Sequence, residues 1–185
     1  MCIRDSSGAF QLGQPGAIVG DPDTAVRFAE GIGVTAGDVL DVVGTDAFSI
    51  EAWVDADKCT IAGSGCLLVA KSEGMGPNFQ GYQLTYYDAT QQLFFSRYVD
   101  ANPSIVYAAV DNASFSHVVG TYDGVTMKLF VNGKELAASP SSAALKDNSG
   151  VFTIASGFDG VIDEVAFYRS ALPAARVQAH FDAAH

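Results

Sequence analysis

The sequence is short of positive charge. Its 185 residues contain 10 Lys and Arg against 21 Asp and Glu, which gives a formal net charge of −11. Nucleic acids and anionic membranes are bound through basic surfaces, so this composition argues against both as partners. The acidic balance suits a protein dissolved outside a cell, and clustered carboxylates can hold a hard cation such as calcium.

Long apolar stretches are also missing. No run approaches the roughly 20 apolar residues of a membrane helix. Residues 1–8 lack the apolar stretch of a signal peptide and resemble the adaptor read-through seen at the start of many environmental protein sequences. We therefore expect residues 1–8 to be a non-native remnant and residues 9–185 to form one domain, since this length is common for single all-β domains.

Cysteine is scarce, with three residues in the chain. Cys59 and Cys66 do not have the two-residue spacing of a zinc site or a redox motif. The small residues between them could close a short loop, and a disulfide there would imply an oxidising compartment. Two ordinary thiols flanking a strand are the alternative.

The pattern that dominates is an alternation of period two. Phe48, Ile50 and Val54 fall on one face of their segment, as they would in a strand with one face on a core. Similar runs are found at residues 25–30, 39–43, 67–71, 82–87, 93–98, 105–110, 117–122, 126–131, 151–155 and 161–168. The dipeptides Asp123-Gly124 and Asn132-Gly133 favour tight hairpin turns between strands. Together these features predict an all-β antiparallel sandwich or barrel, and they argue against a parallel α/β fold.

Only the C-terminal segment has helical spacing. Ser170 offers a cap and Pro173 suits a first turn. Ala174, Val177 and Phe181 then fall on one face. We expect one short helix that docks on the sandwich.

Five segments in this order resemble the laminin G-like, concanavalin A-like lectin/glucanase superfamily, in its bacterial jelly-roll branch. They are residues 25–28, 48–54, 116–124, 128–134 and 160–172. The resemblance implies a jelly-roll β-sandwich. It also implies a module of secreted or cell-surface proteins that binds sugars or proteins, or an appendage of a glycan-degrading enzyme.

A structural calcium ion is the sharpest site prediction. Asp163 alternates onto the face of Val161 and Val165, where an unpaired carboxylate would be very costly. The resemblance implies calcium near the join of the N- and C-terminal strands, with an aspartate at this position, and Asp21 and Asp23 would supply further oxygens. The alternative is that Asp163 accepts backbone N–H groups and that Asp21-Pro22-Asp23 is a turn.

A glycan site is the second prediction. Lectin-like sandwiches hold sugars with aromatic faces beside polar groups. We expect exposed ligand-binding residues among Tyr82, Tyr86, Arg97 and Tyr98, with Tyr87, Tyr107 and Phe79 as further candidates. The alternative is that these tyrosines reflect strand propensity, in which case half of them face the core.

Catalysis is not expected. Glycoside hydrolysis needs two carboxylates on one side of a cleft, whereas Asp163 and Glu164 point to opposite faces and Glu51 stands alone on its strand. His117 is interpreted as a structural histidine bonded across strands, and His180 has no clustered partner in the sequence. A divergent glycan hydrolase or lyase therefore ranks third.

The sequence favours a non-catalytic module of a larger secreted or cell-surface protein that binds extracellular carbohydrate. A structural or adhesion module that contacts other protein domains is the second interpretation.

Overall fold

The computed structural model describes residues 10–60, 65–74, 78–100, 102–110 and 114–185. The predicted remnant at residues 1–8 lies outside these ranges, so the proposed division of the chain stays a prediction. No helix in the described ranges is long and apolar enough to cross a bilayer.

The chain forms two antiparallel sheets and one short helix. The first sheet has seven strands, in the spatial order β1 (Phe10–Pro15), β2 (Thr24–Phe28), β13 (Phe158–Tyr168), β4 (Phe48–Cys59), β9 (Ser116–Tyr122), β10 (Thr126–Val131) and β11 (Lys134–Pro140). The second sheet has six, in the order β3 (Val34–Thr35), β12 (Phe152–Ser156), β5 (Cys66–Glu73), β6 (Gln80–Tyr87), β7 (Gln92–Val99) and β8 (Asn102–Ala109). The predicted antiparallel sandwich is confirmed.

The core lies between the two sheets and follows the period-two pattern. Phe48 of β4 contacts Tyr82 and Phe95 of the facing sheet, with ring centroids 4.9 and 5.8 Å away. Gly120 of β9 faces the Phe95 ring so closely that a Cβ there would lie 2.6 Å from it. The absence of a side chain at this position lets the sheets approach each other.

The two predicted hairpins are present. Asn132 and Gly133 join β10 to β11 with φ angles of 50° and 77°, which a two-residue turn of this kind requires. At the β9–β10 turn, Asp123 Oδ1 accepts hydrogen bonds from the backbone N–H groups of Val125 and Thr126, and these bonds lower the pKa of its carboxyl.

Residues 39–43 do not form the predicted strand. Val42 is buried in the core, while Leu40 has a φ of 63° and its carbonyl accepts a 2.6 Å hydrogen bond from Tyr82. These apolar residues therefore close one end of the sandwich as irregular chain. Strands β1 and β3 were not predicted, because each lies at a sheet edge and carries little apolar alternation. Strand β11 was implied only by the Asn132-Gly133 turn.

The C-terminal helix α1 spans Ala174–Ala183. It begins directly after Pro173 without a side-chain cap, so the predicted capping role of Ser170 is wrong. Val177 is fully buried and the Phe181 ring stacks on Trp53, with centroids 5.9 Å apart, but Ala174 is exposed. The helix covers the outward face of the seven-stranded sheet.

Candidate functional site: an aromatic platform on the six-stranded sheet

The outward face of the six-stranded sheet carries a row of aromatic rings. Side chains alternate along β6, β7 and β8, and Leu84, Phe95 and Val106 point into the core. The intervening residues, which include Phe94 and Tyr107, must then point away from the core. Phe94 and Tyr107 stand directly opposite each other in the β7–β8 pairing.

Three of these rings form one cluster. The Phe94 ring lies 5.2 Å from that of Tyr107, with 20° between their planes, and 4.7 Å from that of Tyr87. Tyr107 is 56% exposed, and the neighbouring outward residue Ile105 is 37% exposed. Tyr107 and Ile105 are therefore accessible to a ligand. Exposed clusters of apolar side chains on soluble domains often mark binding sites.

A second cluster lies toward the other end of the same strands. The rings of Phe79 and Tyr98 meet edge to face with centroids 4.7 Å apart. Gln83 donates a hydrogen bond from Nε2 to Tyr98 Oη at 3.4 Å, which orients the phenol on the outward face. We call the two clusters together the aromatic platform, made of Tyr87, Phe94, Tyr107, Phe79 and Tyr98.

Tyr98 is partly exposed on this platform, but three other predicted ligand-binding residues are buried. Tyr82, Tyr86 and Arg97 are each 1% exposed. Tyr82 and Tyr86 share the inward phase of Leu84 on β6, and burial raises the pKa of Tyr82. Their expected exposure was therefore wrong.

Arg97 is buried for a different reason. Its guanidinium lies 3.6 Å from the centroid of the Tyr122 ring and donates to Ser141 Oγ and to the carbonyl of Ala143. These contacts offset part of the cost of burying a cation, although the buried Nε has no hydrogen-bond partner among the described residues. The arginine fixes the segment around residues 141–143 to the core and is not available to a ligand.

The opposite sheet carries a polar cluster around Glu51. The Glu51 carboxylate lies 2.7 Å from His117 Nε2 and 3.0 Å from Nδ1 of His180 on α1, and it accepts a 2.8 Å hydrogen bond from Tyr168 Oη. His117 is fully buried, as its interpretation as a cross-strand structural histidine requires. Neither Glu51 nor His180 is isolated, contrary to the expectation from the sequence.

The electrostatics of this cluster favour a charged Glu51. Burial alone would raise the pKa of its carboxyl, but hydrogen bonds from His117 and Tyr168 outweigh burial and hold that pKa below 4.5. Burial, together with the hydrogen bond to Glu51, raises the pKa of Tyr168 to about 12. The cluster attaches α1 to the seven-stranded sheet. The Glu51 carboxylate is occupied by hydrogen bonds from its three donors.

Asp163 makes the backbone contacts of the alternative interpretation. Its Oδ2 accepts a 2.8 Å hydrogen bond from the Ala17 N–H, and its Oδ1 accepts from Glu164 N–H at 3.0 Å. Asp21 and Asp23 turn toward local backbone N–H groups. Among the described residues, no three His, Cys, Asp or Glu side chains group where they could hold a metal ion.

Two hard oxygen donors do converge beside Gly16. A Cβ at Gly16 would lie 3.1 Å from Asp163 Oδ2 and 3.2 Å from the main-chain oxygen of Asp23, so a side chain at this position would crowd both oxygens. Burial and the nearby carboxylates of Asp163 and Asp23 raise the pKa of Glu164. The donors fit calcium in kind but are fewer than the six to eight oxygens it takes, so calcium binding stays a prediction.

Cys59 and Cys66 form a disulfide, with Cα atoms 5.3 Å apart. Cys66 pairs with Tyr86 across β5 and β6, so the bridge lies on the core side of the six-stranded sheet. The disulfide alternative from the sequence is confirmed.

The two-sheet jelly roll defines a lectin-like class of domain. A laminin G-type model of the concanavalin A-like lectin/glucanases superfamily matches residues 28–178, which is most of the chain. The chain belongs to this superfamily. No curated protein sequence matches it significantly.

Solved structures with the same fold include two domains that were determined with a bound sugar. Domain 4 of AbnA, an extracellular GH43 arabinanase from Geobacillus stearothermophilus, was solved in complex with arabinotriose. Its sequence is 16% identical, the match covers 99% of this chain and 84% of the AbnA chain, and the TM-score is 0.69. The CBM40 of the Ruminococcus gnavus IT-sialidase was solved bound to α2,3-sialyllactose. Its sequence is 18% identical, the match covers 85% of this chain and 96% of the CBM40 chain, and the TM-score is 0.65. At these identities the likeness shows the fold alone.

The binding domain of Paraclostridial Mosquitocidal Protein 1 is 14% identical over 94% of this chain, with a TM-score of 0.70. Here the chain spans only 45% of the solved domain.

Proposed function

We propose that this protein is a non-catalytic carbohydrate-binding module of a secreted or cell-surface protein and that the aromatic platform is its glycan site. The observation that carries the proposal is the cluster of the Tyr87, Phe94 and Tyr107 rings on an outward sheet face, in which Tyr107 is more than half exposed. Sugar rings present C–H faces that pack on aromatic rings, while neighbouring polar groups bond their hydroxyls.

Two further observations support this function. The solved domains of similar fold include one in complex with arabinotriose and one bound to sialyllactose. The Cys59–Cys66 disulfide suits the oxidising environment outside a cell. A structural calcium ion held by Asp163 Oδ2 and the Asp23 carbonyl belongs to the same proposal, and it would neutralise part of the carboxylate repulsion around Glu164.

The test is glycan binding by the protein and two variants. Screening on a glycan array followed by calorimetry should find a sugar ligand that competes with its own soluble form. Tyr107→Ala should weaken that binding about tenfold or more, since removing an exposed central aromatic contact costs at least ~1.4 kcal/mol at a binding hot spot. The thermal midpoint should stay close to that of the parent protein because the ring is largely outside the core.

Leu136→Ala is the matched control. Leu136 is a large apolar side chain, 49% exposed, on β11 of the other sheet. It should bind glycan as the parent does. If Leu136→Ala and Tyr107→Ala lose binding equally, or if the protein binds only another protein domain and no glycan, the platform is not a sugar site and the adhesion-module interpretation takes its place.

A further inference from the structure

The charged side chains of the six-stranded sheet point away from the aromatic platform. Its strands contain three charged residues, Lys71, Glu73 and Arg97. Lys71 and Arg97 are 0% and 1% exposed, and the alternation along β5 places Glu73 in the phase of Lys71. In the strands as described, the outward face therefore carries no charge.

The residues between the two aromatic clusters are polar but neutral. Gln83 and Thr85 lie on β6 and Ser96 on β7, all in the outward phase. Thr85 and Ser96 are only 4% and 2% exposed, so Gln83 is the residue of the three that can bond a hydroxyl group of a ligand. None of the three offers a counter-charge to a carboxylate or sulfate.

The rest of the surface is different. Exposed ion pairs join Arg27 to Asp57 and Lys128 to Glu135 on the seven-stranded sheet. The chain as a whole has a net charge of −11. An acidic glycan on the platform would meet no basic partner in the described strands and would be repelled by the protein's overall field.

The spacing of the clusters sets the length of the ligand. Phe94 and Tyr98 are four residues apart on β7, which corresponds to about 13 Å along a strand. One sugar ring can cover one aromatic ring, so a single unit reaches one cluster only. A chain of several units can contact both and gains from the second cluster without a second association step.

We infer that the ligand is an uncharged glycan chain of several sugar units, which contacts both aromatic clusters at once. This inference rests on the proposed function, and it names the class of sugar that the same site takes. It predicts that sialylated and uronic acid glycans are rejected, although one solved domain of the same fold was found with sialyllactose.

The experiment compares neutral and acidic probes on the full chain. Soluble arabinan, β-glucan and mannan, with oligosaccharide series from each, are measured by calorimetry beside polygalacturonate and 3′-sialyllactose. We expect binding to at least one neutral series, with affinity rising tenfold or more from the monosaccharide to the longest oligosaccharide. Added salt should leave that affinity unchanged, because no ion pair contributes to it.

Two variants test the mechanism. Tyr98→Ala should reduce the affinity for long oligosaccharides to nearly that for short ones, whereas the affinity for short ones changes by less than threefold. Ile105→Arg places a cation among the outward residues of β8, and we expect it to add measurable binding to polygalacturonate. Leu136→Ala again serves as the control for both.

The outcomes separate the two proposals. Binding of an acidic glycan that Tyr107→Ala removes would overturn the inference and leave the glycan-binding function intact. Neutral binding with no dependence on chain length, or with Tyr98→Ala equal to the parent, would overturn the two-cluster ligand alone. The absence of binding to every probe would overturn the proposed function and the inference with it.

Discussion

Replacing Glu51 with glutamine should destabilise the protein more than any other single loss of charge on the seven-stranded sheet. The carboxylate serves three donors, from His117, Tyr168 and His180, that lie on three different elements. Glutamine keeps one oxygen and turns an N–H₂ group toward these donors. Because hydrogen bonds to a charged group contribute ~1.5–3 kcal/mol each, we expect the free energy of unfolding to fall by about 2–3 kcal/mol.

The measurement is thermal unfolding followed by circular dichroism at neutral pH. For a chain of this size a loss of that magnitude corresponds to a fall of about 5–10 °C in the midpoint. Glu164→Gln is the matched control. Glu164 is exposed, but partial burial of its carboxyl and the neighbouring carboxylates raise its pKa. Removing its charge should therefore leave stability unchanged or slightly higher.

The pH dependence supplies a second readout. Because the pKa of Glu51 is lower in the folded protein than its ordinary value of 4.5, its contribution is present above that value and is lost as the pH falls through the folded-state pKa. The difference between the parent protein and Glu51→Gln should therefore shrink in acid. A variant as stable as the parent at neutral pH, or a difference that grows in acid, would refute the role given to this carboxylate.

Three further predictions concern stability. Reducing the Cys59–Cys66 bond, or replacing both cysteines with serine, should lower the free energy of unfolding by about 2 kcal/mol, because the bond closes a loop of about eight residues. Denaturant unfolding with and without reductant measures this loss, and equal midpoints would contradict it. Gly120→Ala should cost about 1–3 kcal/mol in the same assay, since its Cβ would overlap the Phe95 ring that separates the sheets, and a neutral effect would show that the core can relax there. Calcium at ~100 times its dissociation constant should raise stability by about 2.7 kcal/mol relative to EDTA and do so less in Asp163→Asn, whereas no shift in the parent protein would remove the calcium site.

The alternation of side chains was sufficient to predict most of the strands, and the resemblance to the laminin G-like superfamily selected a sandwich over a barrel. Ten of the predicted strand segments lie on observed strands, because each carries a clear apolar face such as Phe48, Ile50 and Val54. Residues 39–43 were mistaken for a strand because Val42 is apolar and buried although its backbone is irregular. A local sequence pattern shows which side chains are apolar, but it does not show whether the backbone there pairs with another strand.

The site was only partly predictable, and β6 shows why. Leu84 is flanked by Gln83 and Thr85, so its phase marks the inward side and places Tyr82 and Tyr86 in the core. That signal was present in the sequence. On β7, by contrast, Phe94 and Phe95 are adjacent and equally apolar, and only the pairing with β8 shows which one faces out.

No local sequence pattern could predict the Glu51 cluster. Glu51 and His180 are 129 residues apart in sequence and meet because α1 packs back across β4. A helix of period 3.6 places His180 beside Phe181 on its inner side, but the sequence does not specify which strand that side will cover.

The position of α1 has a practical consequence for handling the protein. The helix covers the sheet that lies on the far side of the sandwich from the aromatic rings, and the Ala184 carbonyl is bonded there to the Val19 N–H. A purification tag, a fluorophore or a sensor-chip linker joined after His185 would start from the back of the molecule. The 185-residue domain can thus be immobilised through a linker at residue 185, with the rings turned toward the solution.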